Sequence, residues 1–450
     1  GAFEANVKLE NKTSVSRQLY IKKYLNFSVS TVECHQPAGY SVSDRRCLYR
    51  DLIFRNGKAY FVYDGLPPVL TDIRVSIDQL SPDTLPLWKP KLVPLAKAGT
   101  WVAKRPTFTS AIIWWRLPGA NWYHHLFEDY QGLLRLRELS FGTPYGDVSD
   151  AQIVILDTFK PAFGDTFLWM FRQRPLFLSH WENHAVQVPV VAVGTQSTCG
   201  HRWHCKYQFE EGSLLRFRDA VLRALSVNTT QDGVSSSSHN VTVIQRNGHR
   251  RFVNAEDFPG ALGACGSTPQ YLEQRSPRWQ AMLFAGSDIV VMMHGGAIGN
   301  WLFLKPGSVL IEFHPPGYYH PLADWIYDDM RSLGITFISV WLSYDAVVWE
   351  GALLQHCAGV YHDRDLANVT EYVNSHHRCP PGSAEVMARC AAQVFVYGAF
   401  HVHPSVLRGL YELSRPYLER QKPSEHLKVD LATAKFDNHT ASSTDVGNFC

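Results

Sequence analysis

Short apolar runs closed by turn formers alternate along this chain with segments whose apolar residues recur at helical spacing. β-branched runs of about four to eight residues predict buried strands, and recurrence every three to four residues predicts helices. In the first half the predicted strands are Ala111–Arg116, Ala151–Asp157 and Val188–Gly194. Asn121 stands as a candidate N-cap for a helix over Trp122–Leu139, with Leu126, Tyr130, Leu133 and Leu134 as its apolar positions. A second helix is predicted over Gly212–Leu225, with Leu214, Leu215, Val221 and Leu222 at helical spacing. In the second half, strands are predicted at Val241–Arg246, Asp288–Met293, Ser308–Phe313 and Ile335–Val340, and one long helical stretch over Ser383–Leu418. Between Val32 and Val93 short apolar segments alternate with turns such as Gly57-Lys58, which suggests hairpins, and Pro82–Pro106 reads as a proline-punctuated loop. Strands alternating with helices predict an α/β protein with parallel sheets.

The polar intervals divide this pattern. Residues 1–30 read as a stem or loose lead-in, 31–225 as a first α/β domain, and the serine-rich segment 226–240 as a linker. A second α/β domain with closing helices follows over 241–420, and residues 421–450 read as a polar, flexible tail. A ligand is then expected in the cleft between the halves, outside the carboxyl ends of the strands.

The densest cluster of signals is Ser287–Phe313, SDIVVMMHGGAIGNWLFLKPGSVLIEF. A buried strand runs into His294 and the turn Gly295-Gly296, then a short helical segment, then a second buried strand. Glycines at such a turn admit a ligand close to the backbone, and a helix start offers free N–H groups to an anion. A nucleotide-diphosphate site is one expectation, and a tight turn in an ordinary α/β core is the plain alternative.

Composition narrows the function classes. With a formal net charge of +2 over 450 residues, the chain is not a general binder of nucleic acid, so any basic site is local. Nine cysteines without CxxC or zinc-ribbon spacing favour disulfides, with Cys34/Cys47, Cys199/Cys205 and Cys379/Cys390 as local pairs and Cys450 as the expected spare. Sequons stand at Asn11, Asn26, Asn228, Asn240, Asn368 and Asn438, and with the cysteines they favour the secretory pathway. No apolar run approaches the roughly 20 residues of a membrane helix, and because the chain opens on Gly1 a signal or anchor is expected to have been removed.

Three motifs carry candidate chemistry. In GANWYHHLFED, His124 and Glu128 share one helix face, where an imidazole and a carboxylate can act together as a general base; a solvated helix face is the alternative. In IQRNGHRRFVN, Arg246, Arg250 and Arg251 follow a strand and offer planar donor forks for phosphate oxygens, or simply form a basic loop. In the Ser287–Phe313 stretch, Glu312 near a strand end can accept from ribose hydroxyls, or be a buried, paired glutamate. His180/His184 and His201/His204/Cys205 have metal-like spacing without further ligands, and no GxSxG, HExxH or Walker lysine motif occurs.

These three motifs, in this order, resemble glycosyltransferase family 61 from about Ala111 to Trp349. The resemblance implies a GT-B fold, two Rossmann-like domains facing a central cleft, with UDP held by the C-terminal one. It implies inverting transfer of a sugar such as GlcNAc or xylose from a UDP donor to a glycoprotein or glycan in the Golgi or endoplasmic reticulum lumen. Carried over by position, Arg246 and Arg251 hold the diphosphate, and Asn254, His294, Gly295 and Glu312 belong to the donor site. Arg250 and Gly296 are expected beside them. Asn121 and His124 match the first motif, and His125 is placed with Asn121 on the acceptor side. The family's aspartate four residues after the histidine is Glu128 here, followed by Asp129, so the base is one of these two. No metal or other cofactor is required, because arginines and a helix start can stabilise the departing diphosphate. An inactive secreted carbohydrate-binding or scaffold protein of the same fold is the alternative.

Overall fold

The computed structural model describes residues 27–36, 45–75, 87–104, 106–115, 126, 131–142, 150–156, 171–182, 184–194, 213–227, 239–264, 267–316, 323–349, 351–361, 366–376 and 378–431. The chain is mixed α/β and divides into two compact units, the second running from Phe209 to Cys450.

In the first unit the described residues form a nine-stranded mixed sheet. Its parallel part contains the three predicted strands, seen as Ser110–Trp114, Gln152–Ile155 and Ala185–Gly194. Ala185–Gly194 then pairs antiparallel with Arg46–Arg55, which turns back into Lys58–Tyr63. Asn56 and Gly57, at φ 49° and 66°, make that two-residue turn, and left-handed backbone there matches the twist of the flanking strands. This unit therefore departs from an all-parallel Rossmann-like sheet. The two-residue turn between Arg46–Arg55 and Lys58–Tyr63 permits only antiparallel pairing of those two strands, while Lys58–Tyr63 pairs parallel with Lys91–Pro94.

Among the described residues the second unit carries a six-stranded parallel sheet in the order Gln270–Tyr271, Val241–Gln245, Ile289–Met293, Val309–His314, Thr336–Trp341, His426–Asp430. Strand alternation sends Val241, Val243, Ile289, Val291, Val309, Ile311 and Phe313 into one apolar core with residues of the C-terminal helices. The opposite side chains of the fourth strand are Leu310, Glu312 and His314, and all six residues of that strand are buried.

Three expectations change. The helix Ser213–Ala224 belongs to the second unit, because its buried side, Leu214, Phe217 and Val221, goes with packing on the short 3-10 helix Gly296–Phe303. The stretch Ser383–Leu418 is two helices, Ala384–Tyr397 and Pro404–Leu418. Between them Ala399–Phe400 pairs with Arg251–Phe252 and Val347–Val348. The break falls at Gly398, where a Cβ would overlap the Phe400 ring, and at Pro404, which starts the next helix at its first turn. Within the expected flexible tail, His426–Asp430 is the sixth strand; its alternation, Leu427 and Val429 against His426, Lys428 and Asp430, is half polar and so escaped notice. Cys34–Cys47 and Cys379–Cys390 are bonded as expected, and the free thiol among the described residues is Cys357. Cys357 is buried with its Sγ 3.4 Å from that of Cys390, and burial pushes its thiol up to about 12. Cys199, Cys205 and Cys450 lie outside the described residues.

Candidate functional site

The order of the second unit's sheet reverses at one point. From Val241–Gln245 the chain steps outward to Gln270–Tyr271, then crosses back to Ile289–Met293 on the other side. Where strand order reverses, the loops beyond the carboxyl ends part in opposite directions and leave a crevice for a ligand. The residues leaving these two strands are Arg246 and His294-Gly295.

They meet. A Cβ placed on Gly295 would lie 2.5 Å from Arg246 Nη1 and 3.8 Å from Arg250 Nη1. Gly295 has φ 164°, extended backbone open to any residue, so glycine serves here by leaving room for a guanidinium. Burial lowers the proton affinity of Arg246 and Glu273 opposes that effect; the group stays a cation. Arg250, in left-handed backbone at φ 54°, donates from Nη1 to the His294 carbonyl at 3.4 Å and lies 4.9 Å over the Phe395 ring. Gly296 opens the 3-10 helix that follows.

Arg251 reaches the same region from the other side. Its strand is tied back by Gln245, whose Oε1 accepts from the Phe252 and Arg246 N–H groups while Nε2 donates to the Phe252 carbonyl. Arg246 and Arg251 thereby line one cavity of about 540 Å³, together with His249, Tyr271, Tyr397 and Leu353. Tyr271 is 39% exposed, and a cavity mixing guanidinium groups with aromatic rings suits a ligand that is part anionic and part planar. Asn254 stands in the turn just after Arg251–Phe252. Its amide clamps the backbone of Val402 at both ends, 2.8 and 3.2 Å, and reaches Asp257, so it braces the scaffold.

Glu312 lies in the sheet beside this turn. The ladder pairs Met293 with Phe313, and the His294 N–H continues it by donating to the Phe313 carbonyl at 2.8 Å. His294 Nδ1 stands 2.9 Å from Glu312 Oε1, and His314 Nε2 3.2 Å from Oε2, close enough for attraction though off the straight hydrogen-bond line. Burial alone would raise the Glu312 carboxyl, but the charges and contacts of His294 and His314 outweigh it and bring it down to about 2. Of the three side chains only His294 reaches the surface, at 23% exposed against 1% for Glu312 and 3% for His314. Their donor atoms lie within 4.8 Å of one another, a span an ion could bridge. The 2.9 Å separation is nevertheless that of a direct hydrogen bond, shorter than two ligands about 2.1 Å from a tetrahedral ion would stand apart.

The structure thus brings Arg246, Arg250, His294, Gly295, Gly296 and Glu312 to one strand-end region, with Arg251 sharing the Arg246 cavity. Asn121, His124, His125, Glu128 and Asp129 lie outside the described residues. Sequence reasoning missed His314 and Tyr271. For His314 the signal was present, since a residue two beyond Glu312 on a strand shares its face.

Residues 122–311 match the family described as Glycosyltransferase 61, a span that holds every expected site residue except Asn121 and Glu312, each one position outside it. No curated protein matches the chain.

Two outcomes follow from the geometry. Because the folded-state carboxyl of Glu312 is held below its ordinary value of 4.5, at about 2, its stabilisation is present above 4.5 and is lost as pH falls towards 2. That linkage is worth roughly 3 kcal/mol. Urea melts at pH 7 and pH 3 should show Glu312→Gln losing less stability on acidification than the parent; equal losses would refute this account. Gly295→Ala should displace the Arg246 guanidinium and weaken binding of inorganic pyrophosphate by about tenfold, the loss of one charge-assisted contact. Its melting temperature should stay near that of the parent, since the obstructing atom ends a flexible side chain; unchanged affinity in calorimetry would count against the assignment.

Proposed function

On the premise that residues 122–311 belong to glycosyltransferase family 61, we propose that this protein transfers a sugar, GlcNAc or xylose, from its UDP donor with inversion. The acceptor is a hydroxyl of a glycoprotein or glycan in the secretory lumen. The observation that carries this reading is the meeting of Arg246 with the His294-Gly295 turn at the reversal of a parallel sheet. Guanidinium groups, an extended glycine and a helix start together suit a diphosphate, and the adjoining cavity with Tyr271 suits a nucleoside. In this reading the two units form a GT-B enzyme.

In the mechanism, Arg246 and Arg251 bind the diphosphate and offset the charge that grows on it as the sugar departs. His294, with its Nδ1 engaged by Glu312, offers its remaining ring edge to a phosphate oxygen. Glu128, or Asp129 beside it, takes the acceptor proton with His124, while Asn121 and His125 contact the acceptor. The acceptor oxygen bonds to the anomeric carbon from the face opposite UDP, and the leaving electron pair stays on the diphosphate. These residues need no metal for the step, since the cations they supply are fixed. The two disulfides accord with an oxidising lumen, and among the described residues no helix is long and apolar enough to cross a membrane.

The test is calorimetry with UDP, followed by turnover of UDP-GlcNAc and UDP-xylose. The parent chain should bind UDP and Arg251→Ala should not; equal affinity would remove that residue from the site. Glu128→Gln should keep UDP affinity yet lower turnover by about 100-fold or more, the usual contribution of a general base. Near-normal turnover would pass the role to Asp129. An inactive scaffold protein would bind no nucleotide and leave both donors intact.

A further inference from the structure

The proposed donor site contains a second histidine beside Glu312. His314 follows Glu312 by two residues on the strand Val309–His314, so both project from the same face. It is almost wholly buried, and its ring is stacked on Trp341, its ladder partner on the next strand, at 4.9 Å and 15°. On its other side the His294 ring lies 5.3 Å away at 29°. The Glu312 carboxylate therefore stands between two imidazoles, one oxygen towards each.

A buried carboxylate with one engaged oxygen could rotate about its last bond and offer either oxygen to His294. A second polar contact, His314 Nε2 at 3.2 Å from Oε2, restrains that freedom. The stack on Trp341 fixes where that nitrogen stands. His294 is the partner with surface access, and its Nδ1 is turned onto Oε1. Its other nitrogen is thereby directed away from Glu312.

We propose that His314 is a positioning residue of the donor site: its Nε2, 3.2 Å from Oε2 of Glu312, restrains the carboxylate by electrostatic attraction and through it the orientation and proton affinity of His294. The proposal rests on the reading of this site as a diphosphate site only for its effect on UDP. The effect on His294 itself belongs to the free protein. Among the described residues, the other charged groups at the turn are Arg246 against Gly295 and Arg250 on the His294 carbonyl, and neither changes charge near neutral pH.

His314→Phe keeps a ring for Trp341 and loses the N–H; His314→Gln keeps an N–H donor. With the donor gone, the charge of Glu312 acts on His294 alone. The 15N-detected titration midpoint of His294 in the unliganded protein should then rise by roughly 0.5–1 pH unit, about the worth of one polar contact. His314→Gln should bring it back towards the parent value. UDP affinity measured across pH should move its midpoint in the same direction. An unmoved His294 midpoint in His314→Phe overturns the proposal whether or not UDP binds. A parent chain that ignores UDP overturns the diphosphate reading and leaves the free-protein result standing. Should His314→Phe fail to fold, the 15N shifts of the intact protein decide. A neutral, Nε2-protonated His314 supports the proposal, and an Nδ1-protonated one refutes it. UDP binding or His294 titration that changes on adding a chelator also refutes it, because an ion would then join the three residues.

Discussion

A single ionised carboxylate in the middle of an apolar sheet constrains much of the second unit. Glu312 sits on a strand whose every residue is buried, where an unpaired charge would cost several kcal/mol. Its survival as a carboxylate requires donors at fixed places, and the parallel register supplies them. His294 comes from the end of the neighbouring strand, and His314 from two positions along its own. The apolar face opposite, with Ile311 and Phe313 in the core under the C-terminal helices, holds the strands in that register. A slip of one residue would turn Glu312 into that core and its histidines away from it.

The same register brings basic groups together without a long-range device. Arg246 and Gly295 are neighbours because the strands before them pair, Val241 with Ile289 through Ile244 with Met292. Arg250 and Arg251 are held by another route. The backbone N–H of Arg250 donates to Gly398, and Arg251 pairs with Ala399, so the loop between the last two long helices forms part of the site's wall. Site and scaffold are coupled at Gln245 and Asn254 as well. These amides bond backbone rather than ligand, and each fixes a segment that carries or faces an arginine.

How much of this was legible depended on the kind of signal. Continuous apolar runs such as Ile289–Met293 and Val309–Ile311 stood out because buried parallel strands must be apolar on both faces. The half-polar strand His426–Asp430 did not, since alternation over five residues among charged neighbours looks like surface. The boundary at residue 225 was misjudged for a related reason. Amphipathicity shows that Ser213–Ala224 buries a face, but not which core receives it. In the site, Arg246, His294 and Gly295 were readable from spacing and turn chemistry. The clamp that Asn254 makes on Val402 was not readable, because an amide that bonds ligand and one that bonds backbone are the same letter. Tyr271 was hidden in a two-residue strand with no pattern of its own.

The sixth strand has a consequence for how the chain can be shortened. Thr336–Trp341 is apolar and almost wholly buried, and His426–Asp430 is what covers its outer edge. Without that cover the edge would present a row of open N–H and C=O groups on a flat, β-branched surface, the template on which chains pair with one another. The neighbouring strand carries Glu312 and His314. The strand His426–Asp430 therefore guards the second unit against pairing between chains.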